Sequence, residues 1–194
     1  MALNLNPATT ALVLIDLQHG ILAMNLAPHG RGTVVANAAR LGHALAARGG
    51  TICLVHVGFS PDNRDRLLQP VDQPNPPPPP GGQPKEWSAF VPEIDALRKD
   101  VVVMKRNWGA FHGTELDLQL RRRGVHTIIL CGVSTNIGVE QTAREAFQHN
   151  YAIVLAEDAC ASSSADMHAF SISKIMPRLT RVRPTAEIVA AIEG

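Results

Sequence analysis

The sequence predicts an α/β protein built on a parallel sheet, and three observations carry that prediction. Short apolar runs recur along the chain and alternate with longer amphipathic stretches. The runs lack the period-two alternation of half-buried strands, which suits strands covered on both faces. Strands and helices taking turns in this way argue for right-handed crossovers between parallel neighbours.

In chain order, the candidate strands are ALVLI (11–15), TICLVHV (51–57), VVVM (101–104), HTIILC (126–131), YAIVLA (151–156) and TRVR (180–183). Between the first two, Val34, Ala38, Leu41 and Leu45 fall at i, i+4, i+7 and i+11. They mark one face of a helix that stops at Arg48-Gly49-Gly50. Thr114 can cap a helix with Glu115 and Asp117 in its first turn and Leu116 and Leu120 on its apolar face. Arg121-Arg122-Arg123 followed by Gly124 closes it. Val139, Ala143, Ala146 and Phe147 mark the helix after the fourth strand, and 165–175 and 185–192 read as two more. Segment 59–92 breaks the rhythm, with ten of the fourteen prolines, five of them consecutive at 76–80. Such a run favours polyproline II and cannot join a helix or a central strand. It reads as an ordered surface excursion without chemistry, the alternative being a lid or a subunit contact.

A chain of 194 residues suits one domain spanning 1–194, with enough core to stand alone. A net charge of +1 with interspersed signs gives no electrostatic case for nucleic acid, and no basic amphipathic face points to a membrane surface. The opening MALNLNPATTALVLID has no positive leading region and its apolar run stops at Asp16, so neither a signal peptide nor a bilayer span is expected. Cys53, Cys131 and Cys160 are odd in number and far apart. They read as reduced thiols in a cytoplasmic protein.

Ligands in open α/β sheets bind outside the carboxyl ends of the strands. Asp16 and Gln18 follow the first strand, Lys105, Arg106, Asn107 and Trp108 the third, and the turn 132–138 the fourth. Asp16 comes after five apolar residues, so burial should raise its pKa while a nearby Lys105 would lower it. That balance can set a proton-transfer group, although a structural ion pair or a helix cap needs the same residues. The turn can aim backbone N–H groups at a carboxylate, a phosphate or an oxyanion. It can equally be a tight connection capped by Thr135 or Asn136. No Gly-x-Gly-x-x-Gly follows the first strand, and neither a P-loop nor a Gly-x-Ser-x-Gly elbow occurs. The eight histidines show no ligand spacing, and Asp166 and His168 would point apart on a helix, so no metal and no cofactor are predicted.

Three segments, TTALVLIDLQHGIL, VVMKRNWGAFHGTELDLQLRRRG and HTIILCGVSTNIGVEQTAREAF, resemble the isochorismatase-like hydrolase superfamily, which includes the cysteine hydrolases. The likeness covers nearly the whole chain and is nearest to a bacterial subgroup carrying KRxWGAFxGTxLxLQLRRRG. It implies a doubly wound, three-layer α/β/α fold with about six parallel strands. It also implies an Asp–Lys–Cys triad, whose first two members match Asp16 and Lys105. The nucleophile position of the Gly-Val-x-Thr-x-x-Cys pattern is here Gly138, and the family's non-proline cis peptide would be Val133–Ser134. Acyl-enzyme chemistry through a glycine is excluded. True isochorismatases resemble the family with Gly at this position and use the Asp as general acid on a vinyl ether. Where they carry Tyr-Ala-His, this chain has Ser134-Thr135-Asn136, so its substrate pocket differs.

The leading expectation is therefore a cofactor-independent hydrolase of a small, anionic or carbonyl-bearing metabolite. Asp16 would be its acid/base and Lys105 the electrostatic partner. Val133, Ser134 and Gly138 would form the oxyanion turn, with Gln18, Trp108, Phe111, Thr135 and Asn136 lining or bracing the pocket. A silent binding or scaffold protein of the same fold is one alternative, and an amidase using Cys160 is another. The resemblance also implies a homo-oligomer.

Overall fold

The computed structural model of the chain describes residues 3–74, 77 and 79–194, so the proline run 76–80 falls partly outside the described residues. Six strands form one sheet: β1 (Thr10–Ile15), β2 (Thr51–Val57), β3 (Val101–Lys105), β4 (Thr127–Val133), β5 (Ala152–Ala161) and β6 (Arg181–Arg183). Their order is β3-β2-β1-β4-β5-β6, and every neighbouring pair is parallel. The expected doubly wound α/β architecture is what the chain adopts.

Burial follows strand position. All six residues of β1 are buried, as central placement requires. At the edge, β3 alternates, with Val102 and Met104 exposed and Val101 and Val103 buried. The unbroken run VVVM hid that alternation, because all four residues are apolar.

Among the described residues, six α-helical segments connect the strands and one follows the last: α1 (His19–Leu22), α2 (Arg31–Ala47), α3 (Pro92–Asp95), α4 (Leu116–Arg122), α5 (Glu140–Gln148), α6 (Ala165–Phe170) and finally α7 (Thr185–Glu193). The chain steps from β1 to β2 in one direction and from β4 to β5 in the other, so right-handed crossovers set α2 and α5 on opposite faces. Helix α2 buries Val34, Ala38, Leu41 and Leu45, the stripe read from the sequence, and packs against α7. Helix α4 starts one residue later than expected, with Glu115 rather than Thr114 at its N-cap position and no side-chain cap there, while Thr114 Oγ1, one residue further back, accepts the Leu116 N–H at 3.2 Å.

Three further boundaries differ from the sequence reading. Phe147 lies on the outer side of α5, while Val139, Ala143 and Ala146 are buried. The helix expected over 165–175 is α for its first six residues and a wider π turn over Ser171–Ile175. There the Ser173 hydroxyl donates back to Ala169 O at 2.7 Å, a bond that competes with regular helix, and Pro177 follows. Finally, β5 runs five residues past its predicted end, so Cys160 sits inside a strand, paired with Gly132, rather than after one. Among the described residues, no helix is long and apolar enough to cross a membrane.

Candidate active site

The first strand delivers an acid. Asp16 directly follows β1 with φ at 54°, the left-handed region that costs a non-glycine residue about 1–3 kcal/mol and that Asp tolerates better than most. Lys105 ends β3, two strands away, a gap of about 9.5 Å at ordinary strand spacing. Its long stem crosses the end of β2, and Nζ donates to Asp16 Oδ2 at 2.7 Å and to Asn107 O at 3.1 Å. Both groups are almost fully buried, at 5% and 3% exposure. Burial pushes Asp16 up to about 6, against the downward pull of the Lys105 ammonium. Asp16 Oδ1 is buried and has no hydrogen-bond partner among the described residues.

The fourth strand delivers the turn. Gly132 has φ at 127°, and a Cβ there would lie 2.1 Å from Ile15 O, so glycine alone lets β4 run this close to β1. The Val133–Ser134 peptide is cis. Thr135–Val139 then form a π turn that continues into α5, with the Ile137 and Val139 N–H groups both donating to Ser134 O at 3.1 Å. A Cβ built at Gly138 would lie 3.4 Å from Asp16 Oδ2 and 3.2 Å from Ile15 Cγ2. Any side chain at 138 would thus begin beside the acid.

These parts open on a cavity of about 370 Å³. Asp16, Lys105, Trp108, Val133, Ser134 and Gly138, all named from the sequence, are in its wall. The other four are not. Gln18 is a brace: its Oε1 accepts the Val57 N–H at 2.8 Å, and Nε2 donates to Val57 O and Trp87 O at 3.0 and 3.2 Å. Phe111 turns inward to stack on His149, held because its N–H donates to Glu145 Oε2 at 3.0 Å. Thr135 is fully buried, its Oγ1 2.8 Å from His168 Nδ1, and Asn136 Oδ1 accepts the Ser162 hydroxyl.

The proline-rich excursion is not chemically idle in position, as the sequence reading had it. It contributes Phe59, Arg66, Leu67, Gln83 and Trp87 to the wall. Trp87 packs flat on Gly20, where a Cβ would meet the indole at 2.1 Å. Arg66 lies over the Phe59 ring at 4.5 Å, and its Nη1 is buried without a hydrogen-bond partner among the described residues. Nothing in a proline-rich segment marks Arg66 in advance, because its role depends on how the loop folds back. The thiols stay away from this chemistry. Cys53, Cys131 and Cys160 are all buried, and desolvation pushes Cys53 and Cys131 up to about 12 and Cys160 well up.

A second cluster of titratable groups lies beyond the turn. His29, Glu157 and His168 come from a loop, β5 and α6, and their ligand atoms lie within 4.8 Å of one another. Asp166 is not part of it. Sequence spacing could not find this group, since 128 residues separate His29 from Glu157.

A buried acid–ammonium pair facing a backbone turn at the carboxyl ends of a doubly wound sheet defines an α/β protein with a polar candidate site at its strand ends. The isochorismatase domain model matches residues 10–187. The isochorismatase family protein YecD of Escherichia coli O157:H7 is 48% identical over 190 residues, covering 98% of this chain and all of that protein. An isochorismatase family protein from Burkholderia thailandensis has a solved structure that superposes with a TM-score of 0.92 at 46% identity, covering 98% of each chain. A cysteine hydrolase from Pseudomonas syringae pv. phaseolicola superposes with a TM-score of 0.80 at 25% identity, over 98% of this chain and 95% of that one. The chain belongs to the isochorismatase family of hydrolases.

Proposed function

We propose that this chain hydrolyses a small anionic metabolite by acid–base chemistry, with Asp16 as general acid and no protein nucleophile. The observation that carries the reading is the Asp16–Lys105 pair, buried at 2.7 Å with Asp16 Oδ1 unpartnered. Gly138, which the resemblance puts at the nucleophile position and which lies beside Asp16, offers no group to form an acyl intermediate. A vinyl ether fits these parts. Asp16 gives its proton to the enol carbon, and the electron pair of the ether oxygen makes an oxocarbenium ion. Water adds to the carbon that bears the ether oxygen and loses a proton to the Asp16 carboxylate, and the hemiketal so formed collapses to a carbonyl and an alcohol. Lys105 stabilises the carboxylate while the proton is away. The amides of the 134–138 turn other than Ile137, together with Arg66 Nη1, would hold the anionic part of the substrate.

Turnover of a panel of carboxylated vinyl ethers tests the reading, with Asp16→Asn as the control. General acids contribute about 10²–10⁴-fold, so Asn should lower kcat by that much while leaving the melting curve cooperative. Unchanged turnover in the Asn variant would end the assignment. Ligands that raise the melting temperature and are never turned over would instead favour the binding protein, the reading that the missing nucleophile also allows.

A further inference from the structure

We infer that His29, Glu157 and His168 form a binding site for a zinc-class divalent transition ion, with three protein ligands and an open fourth position. Two imidazole nitrogens converge on one carboxylate oxygen: His29 Nε2 is 2.9 Å and His168 Nε2 3.1 Å from Glu157 Oε1. Tetrahedral zinc with bonds of about 2.0–2.1 Å sets its ligand atoms about 3.3 Å apart, so a widening of a few tenths of an ångström admits the ion. Two imidazoles and a carboxylate also select zinc-class metals over calcium or magnesium, which prefer all-oxygen sets. The rings stand edge to face, centroids 5.6 Å apart and planes at 81°, so both reach one point without stacking.

The ligands are held before any ion arrives. The loop carrying His29 is pinned by reciprocal backbone bonds at 2.8 Å between Ala27 and Ser162. Glu157 is fixed in β5 and His168 on the first turns of α6. The Thr135 hydroxyl sits 2.8 Å from His168 Nδ1, the kind of outer partner that orients a metal-bound imidazole. His29 and Glu157 are 25% and 31% exposed, which leaves an entry path and room for a water ligand.

Binding needs no net proton transfer to solvent when both rings are neutral. Without the ion each Nε2 carries the proton it donates to Glu157. With it, each ring moves that proton to Nδ1 and gives the Nε2 lone pair to the metal. His168 Nδ1–H then donates to Thr135 Oγ1, so the hydroxyl changes from donor to acceptor. Thr135 belongs to the turn that faces Asp16, and the ion would therefore be felt at the turn.

Chelator-treated, dialysed protein titrated with Zn²⁺ by calorimetry and with Co²⁺ by visible absorption tests the site. Wild type should take a single ion per chain, rise in melting temperature and give the intense bands of tetrahedral Co²⁺. His29→Ala and Glu157→Gln, both at partly exposed positions, should stay folded by circular dichroism, lose those bands and bind Zn²⁺ at least about tenfold more weakly. A wild type that takes no ion, or variants that bind as tightly as wild type, would overturn the site.

Discussion

At Asp16 two opposed effects meet on one carboxyl group. Loss of water raises its proton affinity and the ammonium of Lys105 lowers it, and burial wins, leaving the group at about 6. A free enzyme whose general acid titrates there holds its proton below about pH 6 and loses it above. On an accepted vinyl ether, kcat/KM should therefore fall as pH rises through about 6, since that parameter reports the free enzyme. A limb that rises through the same region would show that the unprotonated form works, making Asp16 a base. Arg66 adds the second residue-scale signal. A guanidinium nitrogen buried without a partner is costly, and an anionic substrate would remove that cost.

At the scale of elements, the site depends on how the 107–111 loop is tied to the turn and α5. Thr142 on α5 does this with one hydroxyl, which donates to Gly138 O at 2.6 Å and accepts the buried Ala110 N–H at 3.2 Å. Thr142→Val keeps the volume and strands the buried Ala110 N–H. The expected result is about 1–3 kcal/mol lower stability in urea melts, with a weakened kcat/KM as Trp108 loses its seat. A variant as stable as wild type would show that the loop is held elsewhere. The same elements explain what the sequence could and could not tell. Strands and the Asp16, Lys105 and Gly138 positions were legible because apolar runs end where the sheet ends, and chemistry follows those ends. Gln18 and Phe111 stand behind the cavity wall rather than in it, because a polar or aromatic residue beside a site can face either way. The Arg66 wall and the His29–Glu157–His168 cluster were invisible. Both arise from segments far apart in the chain that only the fold brings together.

At the scale of the whole molecule, the sheet places its candidate site at the switch point between β1 and β4, where the winding changes direction, and the fold bears a cost for burying an acid there. An ordinary aspartate titrates at 3.8, and in the folded chain Asp16 does so at about 6. The folded state therefore binds this proton more tightly than the unfolded chain. The stability it contributes is full below about 3.8 and is lost as pH rises through about 6, on the order of 3 kcal/mol in all. Asp16→Asn cannot titrate and keeps Lys105 in place, so it isolates the effect. Urea melts of both proteins between about pH 4 and pH 8 should show the stability difference shifting toward the Asn variant, by up to about 3 kcal/mol. A difference independent of pH would mean that Asp16 titrates as it does in an unfolded chain. In that case the buried pair would be a structural ion pair, and the proton for catalysis would have to come from another group.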